Sequence, residues 1–125
     1  MSAYLTNDTI VAPATAAGIG AIAVIRLSGS HAIDITETVF ADKKLKSKHL
    51  AAKKPNTIHF GVIHHDGVVL DEVLLSLFKA PHSYTGEDTV ELSCHGSPFI
   101  VQQIIQLLLK KGARMANAGE FTLRA

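Results

Sequence analysis

The segment TIHFGVIHHDGVVLDEVLLSLF, residues 57–78, decides the class of fold. Two runs rich in Val, Ile, Leu and Phe flank His65-Asp66-Gly67, and Asp-Gly between such runs signals a two-residue hairpin turn. Upstream, TIVAPAT (9–15) predicts a short strand ended by Pro13. Gly18-Ile19-Gly20 predicts a turn, and the apolar run Ala21–Leu27 predicts a strand buried on both faces. Ser30 is placed to cap a helix from about His31 to Ala41, with Ala32, Ile35 and Val39 on one side. Downstream, KAPHSYTGED (79–88) reads as a loop and TVELSCHG (89–96) as a strand. Ser97-Pro98 then opens the helix FIVQQIIQLLLKK, which has a basic last turn and stops at Gly112. ARMANAG (113–119) reads as extended, and EFTLRA begins a further element.

The expected order is β-β-α-β-β-β-α-β. Hairpins with only two main helices predict an α+β fold, a mixed or antiparallel sheet with both helices on one face. The chain's 125 residues, 47% of them apolar, suffice for one domain with a real core. No apolar run approaches the roughly 18 residues that would suggest a membrane span. The N-terminus MSAYLTNDTI lacks the basic region and apolar stretch of a secretory signal. A single cysteine rules out an internal disulfide and suits a reducing cytosol. The net charge of +1 gives no global field to recruit nucleic acid. Lys43, Lys44, Lys46, Lys48, Lys53 and Lys54 cluster without arginine or interleaved aromatics, which favours a solvated loop over an RNA-contact patch. The ending GEFTLRA has no polar tail or glycine cap and reads as a cut inside a longer protein.

Few residues invite a chemical reading. Gly18-Ile19-Gly20 is no phosphate loop, because a strand follows and no Lys-Ser/Thr is present. His64-His65-Asp66 sits on the hairpin tip with too few ligands for a metal site. Arg26 shares a strand face with Ile22 and Val24. Its guanidinium either pairs with a core-edge carboxylate or offers a donor fork to a ligand. In the strand after YTGED, Val90, Leu92 and Cys94 point one way and Glu91, Ser93 and His95 the other. Cys94 is then a small, inert core residue. Glu87 and Asp88 read as turn and strand-start residues. His95-Gly96 before the capped helix reads as packing or as an anion seat.

Four segments taken together, NDTIVAPAT (7–15), GIGAIAVIRLSG (18–29), YTGEDTVELSCHGSP (84–98) and NAGEFTLRA (117–125), resemble the N-terminal domain of the tRNA modification GTPase MnmE (TrmE) family. The resemblance runs in the family's order over nearly the whole chain. It implies a fold similar to tetrahydrofolate-binding aminomethyltransferase domains, and a homodimer binding 5-formyl-tetrahydrofolate or a related one-carbon tetrahydrofolate near its interface. By the same resemblance, Arg26 and Glu91 align with the family's folate-contacting arginine and glutamate. Glu91 would take the pterin edge and Arg26 the polar or carboxylate portion. A lysine that the family adds falls just past Ala125. The family's whole protein has a helical domain and a potassium-dependent GTPase domain that uses GTP and magnesium. With the FAD-containing MnmG protein it modifies C5 of the wobble uridine of tRNA in the cytoplasm. This chain carries no nucleotide-hydrolysing motif, so GTP hydrolysis is not expected from it. Two other functions fit the sequence: a structural dimerisation module without a cofactor, and a free-standing one-carbon folate transferase.

Overall fold

The computed structural model describes residues 8–14 and 21–125. The turn expected at Gly18–Gly20 lies outside the described residues. The described elements are β1 (Ile10–Pro13), β2 (Ile22–Ser28), α1 (Ala32–Glu37), β3 (Phe40–Ala41), β4 (Thr57–His65), β5 (Val68–Phe78), β6 (Thr89–His95), α2 (Pro98–Lys110), β7 (Arg114–Met115) and α3 (Glu120–Arg124). The strands form one mixed sheet in the order β3-β4-β5-β6-β2-β1-β7, antiparallel at every pairing except β1 with β7.

The central hairpin forms as its sequence dictates. Asp66 (φ 49°) and Gly67 (φ 78°) both adopt positive φ, which a tight turn matched to the twist of its strands requires. Gly61 serves packing instead: a Cβ there would lie 2.6 Å from the Phe40 ring, which is fully buried across the β3–β4 pair. α2 also follows its local signals. Pro98 occupies its first turn, and the Ser97 hydroxyl accepts from the Ile100 amide at 3.5 Å. Ile104, Ile105, Leu107 and Leu108 are buried, each contributing about 1.5–3 kcal/mol by leaving water. Gly112, at φ 117°, ends the helix, and the Ala113 amide turns back to the Leu108 carbonyl.

Three expectations are corrected. α1 covers only Ala32–Glu37, with His31 in the cap position and no side-chain cap bond. The Thr38 hydroxyl donates to the Ile35 carbonyl, and Phe40–Ala41 leave the helix to pair with Ile63 and Val62. Val39 in the turn and Phe40 on the edge strand, β-branched and aromatic residues respectively, are fully buried there. β2 is not buried on both faces. Ala23, Ile25 and Leu27 are buried, whereas Ile22 is 66% exposed and Val24 and Arg26 are half-buried. Both helices cover the same side of the sheet, so only one face of β2 meets the core.

The sheet therefore has two unlike faces. The inner one presents Ala23, Ile25, Leu27, Val73, Leu75, Leu77, Val90, Leu92 and Cys94 to Ile33 and Ile35 of α1 and to Ile104, Ile105, Leu107 and Leu108 of α2. The outer one carries Arg26, Glu91 and Ser93 beside Ile22, Ile58, Phe60 and Leu74, of which the last four stay exposed.

Candidate functional site

On the outer face, strand register lines up one row of side chains. Ile58 pairs with Ser76, Ser76 with Glu91, Glu91 with Arg26, and Arg26 with Ala12. Directly opposed residues in an antiparallel pair bring their side chains within contact range. Arg26 Nε accordingly donates to Glu91 Oε2 at 2.8 Å, with each side chain about one-quarter exposed (25% and 26%). Sequence reading left open whether Arg26 pairs with a carboxylate or serves a ligand. The structure gives it the carboxylate and leaves capacity over. Among the described residues, Glu91 Oε1 and the two terminal nitrogens of Arg26 form no hydrogen bond.

Two aromatic rings flank this pair. The Arg26 guanidinium carbon lies 5.4 Å from the centre of the Tyr84 ring and 5.5 Å from that of Phe121. Both distances fall within the reach of a cation–π attraction. Tyr84 belongs to the YTGED loop and Phe121 to α3, and the Tyr84 hydroxyl meets Thr122 Oγ1 at 3.1 Å. Sequence reading missed both rings as site residues. Their signal lay inside the two motifs YTGED and GEFTLRA, but nothing local says that these segments meet.

The same loop and helix are bound together by ions. Glu87 accepts from Ser28 Oγ at 3.0 Å and from Arg124 Nη1 at 3.2 Å. Arg124 also donates to the Asp8 carbonyl and to Glu120. Glu120, its side chain only 1% exposed, receives both terminal nitrogens of Arg114 and the Asn117 amide. The Arg114 bonds hold the Glu120 carboxyl down at about 2, against the opposition of burial. Asp88 accepts from the Ala80 amide, and its carbonyl from that of Gly29. Glu87 and Asp88 thus have structural partners, the role that their place in a turn predicts.

The remaining candidates separate clearly. Cys94 is buried, its thiol pushed up to about 11, first by burial and then by the Asp71 charge, which leaves it inert. His95 donates from its backbone amide and from Nδ1 to the buried Asp71 carboxylate, at 2.8 and 2.6 Å. A fixed carboxylate there suits an oriented imidazole and opposes an anion seat. His65 and Asp66 form an exposed pair on the hairpin tip, 3.3 Å apart. Among the described residues no set of three His, Cys, Asp or Glu side chains gathers as a metal site.

Residues 9–125 match the family described as GTP-binding protein TrmE N-terminus. The chain belongs to that family. Curated relatives named tRNA modification GTPase MnmE agree with it closely. The protein of Flavobacterium johnsoniae is 61% identical over 97% of this chain and 26% of its own length. That of Flavobacterium psychrophilum is 59% identical over 95% of this chain and 25% of its own length. The more distant protein of Fervidobacterium nodosum is 47% identical over 97% of the chain and 26% of its own length. The chain spans about a quarter of the length of these relatives. As a TrmE N-terminal domain it contains both halves of the site frame: the YTGED loop with β6, and the GEFTLRA helix that docks on it.

Proposed function

We propose that the chain is the cofactor-binding and dimerising domain of a tRNA modification GTPase, taking a one-carbon tetrahydrofolate such as 5-formyl-tetrahydrofolate at Arg26 and Glu91. The observation that carries this reading is the part-exposed Arg26–Glu91 pair with its open acceptor and donors. Glu91 Oε1 suits the amide N–H and amino group on a pterin edge, while the Arg26 nitrogens suit a carbonyl or carboxylate. Mounting both groups on central, adjacent strands holds them rigidly, as recognition of a flat polar ring requires. The cofactor would supply a one-carbon unit. This chain's residues would bind and orient it, and none of them is assigned a proton-transfer role.

The whole protein, in this proposal, hydrolyses GTP in a separate domain using magnesium and potassium. With an FAD-containing partner, MnmG, it modifies C5 of the wobble uridine of tRNA in the cytoplasm. The names of the relatives support the tRNA modification and GTPase parts of this reading. No helix among the described residues is long and apolar enough to cross a membrane.

Homodimerisation is supported by the uncovered sheet face, where Ile22 (66%), Ile58 (67%), Phe60 (45%) and Leu74 (47%) stand exposed on β2, β4 and β5. Apolar patches of this kind mark association surfaces. Sedimentation should give twice the chain mass, and Leu74→Glu should halve it; an unaltered dimer in that variant rejects the outer face as the contact.

The direct test of the cofactor reading is calorimetric titration with 5-formyl-tetrahydrofolate. Heat should appear with the wild type and vanish with Glu91→Ala, and unchanged binding by that variant removes Glu91 from the site. Absence of binding by a dimeric wild type would favour a module without cofactor.

A further inference from the structure

Tyr84 stands out among the exposed large side chains. It is 54% exposed, yet it lies within an otherwise heavily bonded loop, beside an ion pair with unused hydrogen-bonding capacity. Phe121 approaches the same guanidinium from the other motif, at nearly the same distance. Two features show that the rings are held where they are. The Tyr84 hydroxyl is joined to Thr122, next to Phe121, and Glu87 of the loop is joined to Arg124 of the helix. The loop and α3 are therefore locked to each other across the end of the Arg26–Glu91 row.

Such an arrangement is costly for a purely structural purpose. An exposed aromatic ring gains little from burial, and a part-exposed ion pair adds little stability. Around a flat ligand the same groups complement one another. Ring faces stack on heterocycles, and the carboxylate and guanidinium read the heterocycle's edge.

We propose that Tyr84 and Phe121 are the aromatic walls of the ligand site. Tyr84 lends its exposed face to the flat ring of the ligand, and Phe121 is a positioning residue that sets the plane of the Arg26 guanidinium. The ligand class is a planar heterocycle bearing both donors and acceptors. This deepens the cofactor reading given above and rests on it. It also makes α3 part of the binding site, so that the GEFTLRA segment adds to the surface that β2 and β6 present.

The test is titration of 5-formyl-tetrahydrofolate into the full-length protein carrying Tyr84→Leu, Tyr84→Phe or Phe121→Leu, with Glu91→Gln alongside. Leucine keeps apolar bulk and removes the ring, whereas phenylalanine keeps the ring and removes only the hydroxyl. Stacking predicts about a tenfold or greater rise in Kd for Tyr84→Leu, with Tyr84→Phe staying within about threefold of wild type. Phe121→Leu should weaken binding while the thermal midpoint of Tyr84→Leu, a half-exposed position, stays near wild type. If wild type binds, Glu91→Gln does not, and both leucine variants bind like wild type, the wall assignment is overturned and the cofactor reading stands. Equal losses in Tyr84→Phe and Tyr84→Leu also overturn it, because the hydroxyl latch rather than the ring would then be what matters. If the wild type binds nothing, the cofactor reading fails and the wall assignment fails with it.

Discussion

Two sets of arginine–carboxylate contacts lie close together in this fold, and they differ in how fully their hydrogen bonds are used. Around Glu120, Arg114 bonds both carboxylate oxygens while Asn117 and Arg124 add more, and the carboxylate is almost wholly buried. At Glu91 a single Arg26 nitrogen occupies one oxygen, and both partners remain about one-quarter exposed. A saturated buried pair has no capacity for anything else, so its work is to hold segments together. An unsaturated pair on a rigid strand is poised to bond something further. The difference separates scaffold from site within one molecule.

That contrast breaks most visibly if Glu120 is removed. Glu120→Ala takes from Arg114 and Arg124 the almost wholly buried carboxylate they share, and leaves them Asp8 and Glu87 respectively. It should cost about 3 kcal/mol of folding stability, read from denaturant unfolding. A loss below about 1 kcal/mol would place Glu120 with the surface pairs and erase the distinction.

Acid titration probes the same group without mutation. Glu120 falls from an ordinary 4.5 to about 2 because Arg114 bonds its charged form. A lowered carboxyl pKa contributes stability that is fully present above about pH 4.5 and disappears as pH falls towards 2. At about 1.4 kcal/mol per unit, the contribution is about 3 kcal/mol. Unfolding midpoints should decline over that window, and the decline should be shallower in Glu120→Gln. An identical decline in the variant would assign it to other carboxylates.

Much of this fold is written locally, and most of the exceptions are long-range. The 57–78 hairpin and α2 follow from Asp66-Gly67, Ser97-Pro98 and Gly112, whose effects act within a few residues. Alternation along β2 and β6 placed Arg26 and Glu91 correctly on one face each, but only register shows that the two are directly opposed. Phe40 and Ala41 looked helical because their strand partners, Ile63 and Val62, lie 20 or so residues away. Tyr84 and Phe121 escaped notice for the same reason, since Tyr84 and Thr122 are 38 positions apart. Burial around Glu120 is closed from further away through Arg124, which also reaches Glu87, 37 positions distant.

The measurement that tests the scaffold–site distinction most directly is thermal unfolding of wild type and Glu91→Gln, each with and without saturating 5-formyl-tetrahydrofolate. A part-exposed pair predicts that Glu91→Gln alone costs no more than about 1 kcal/mol. A ligand bound at the free capacity of Glu91 predicts a rise in the wild-type midpoint that is absent in the variant. A variant that unfolds far below wild type, or one that the ligand stabilises as strongly as wild type, would contradict the assignment of Glu91 to the site.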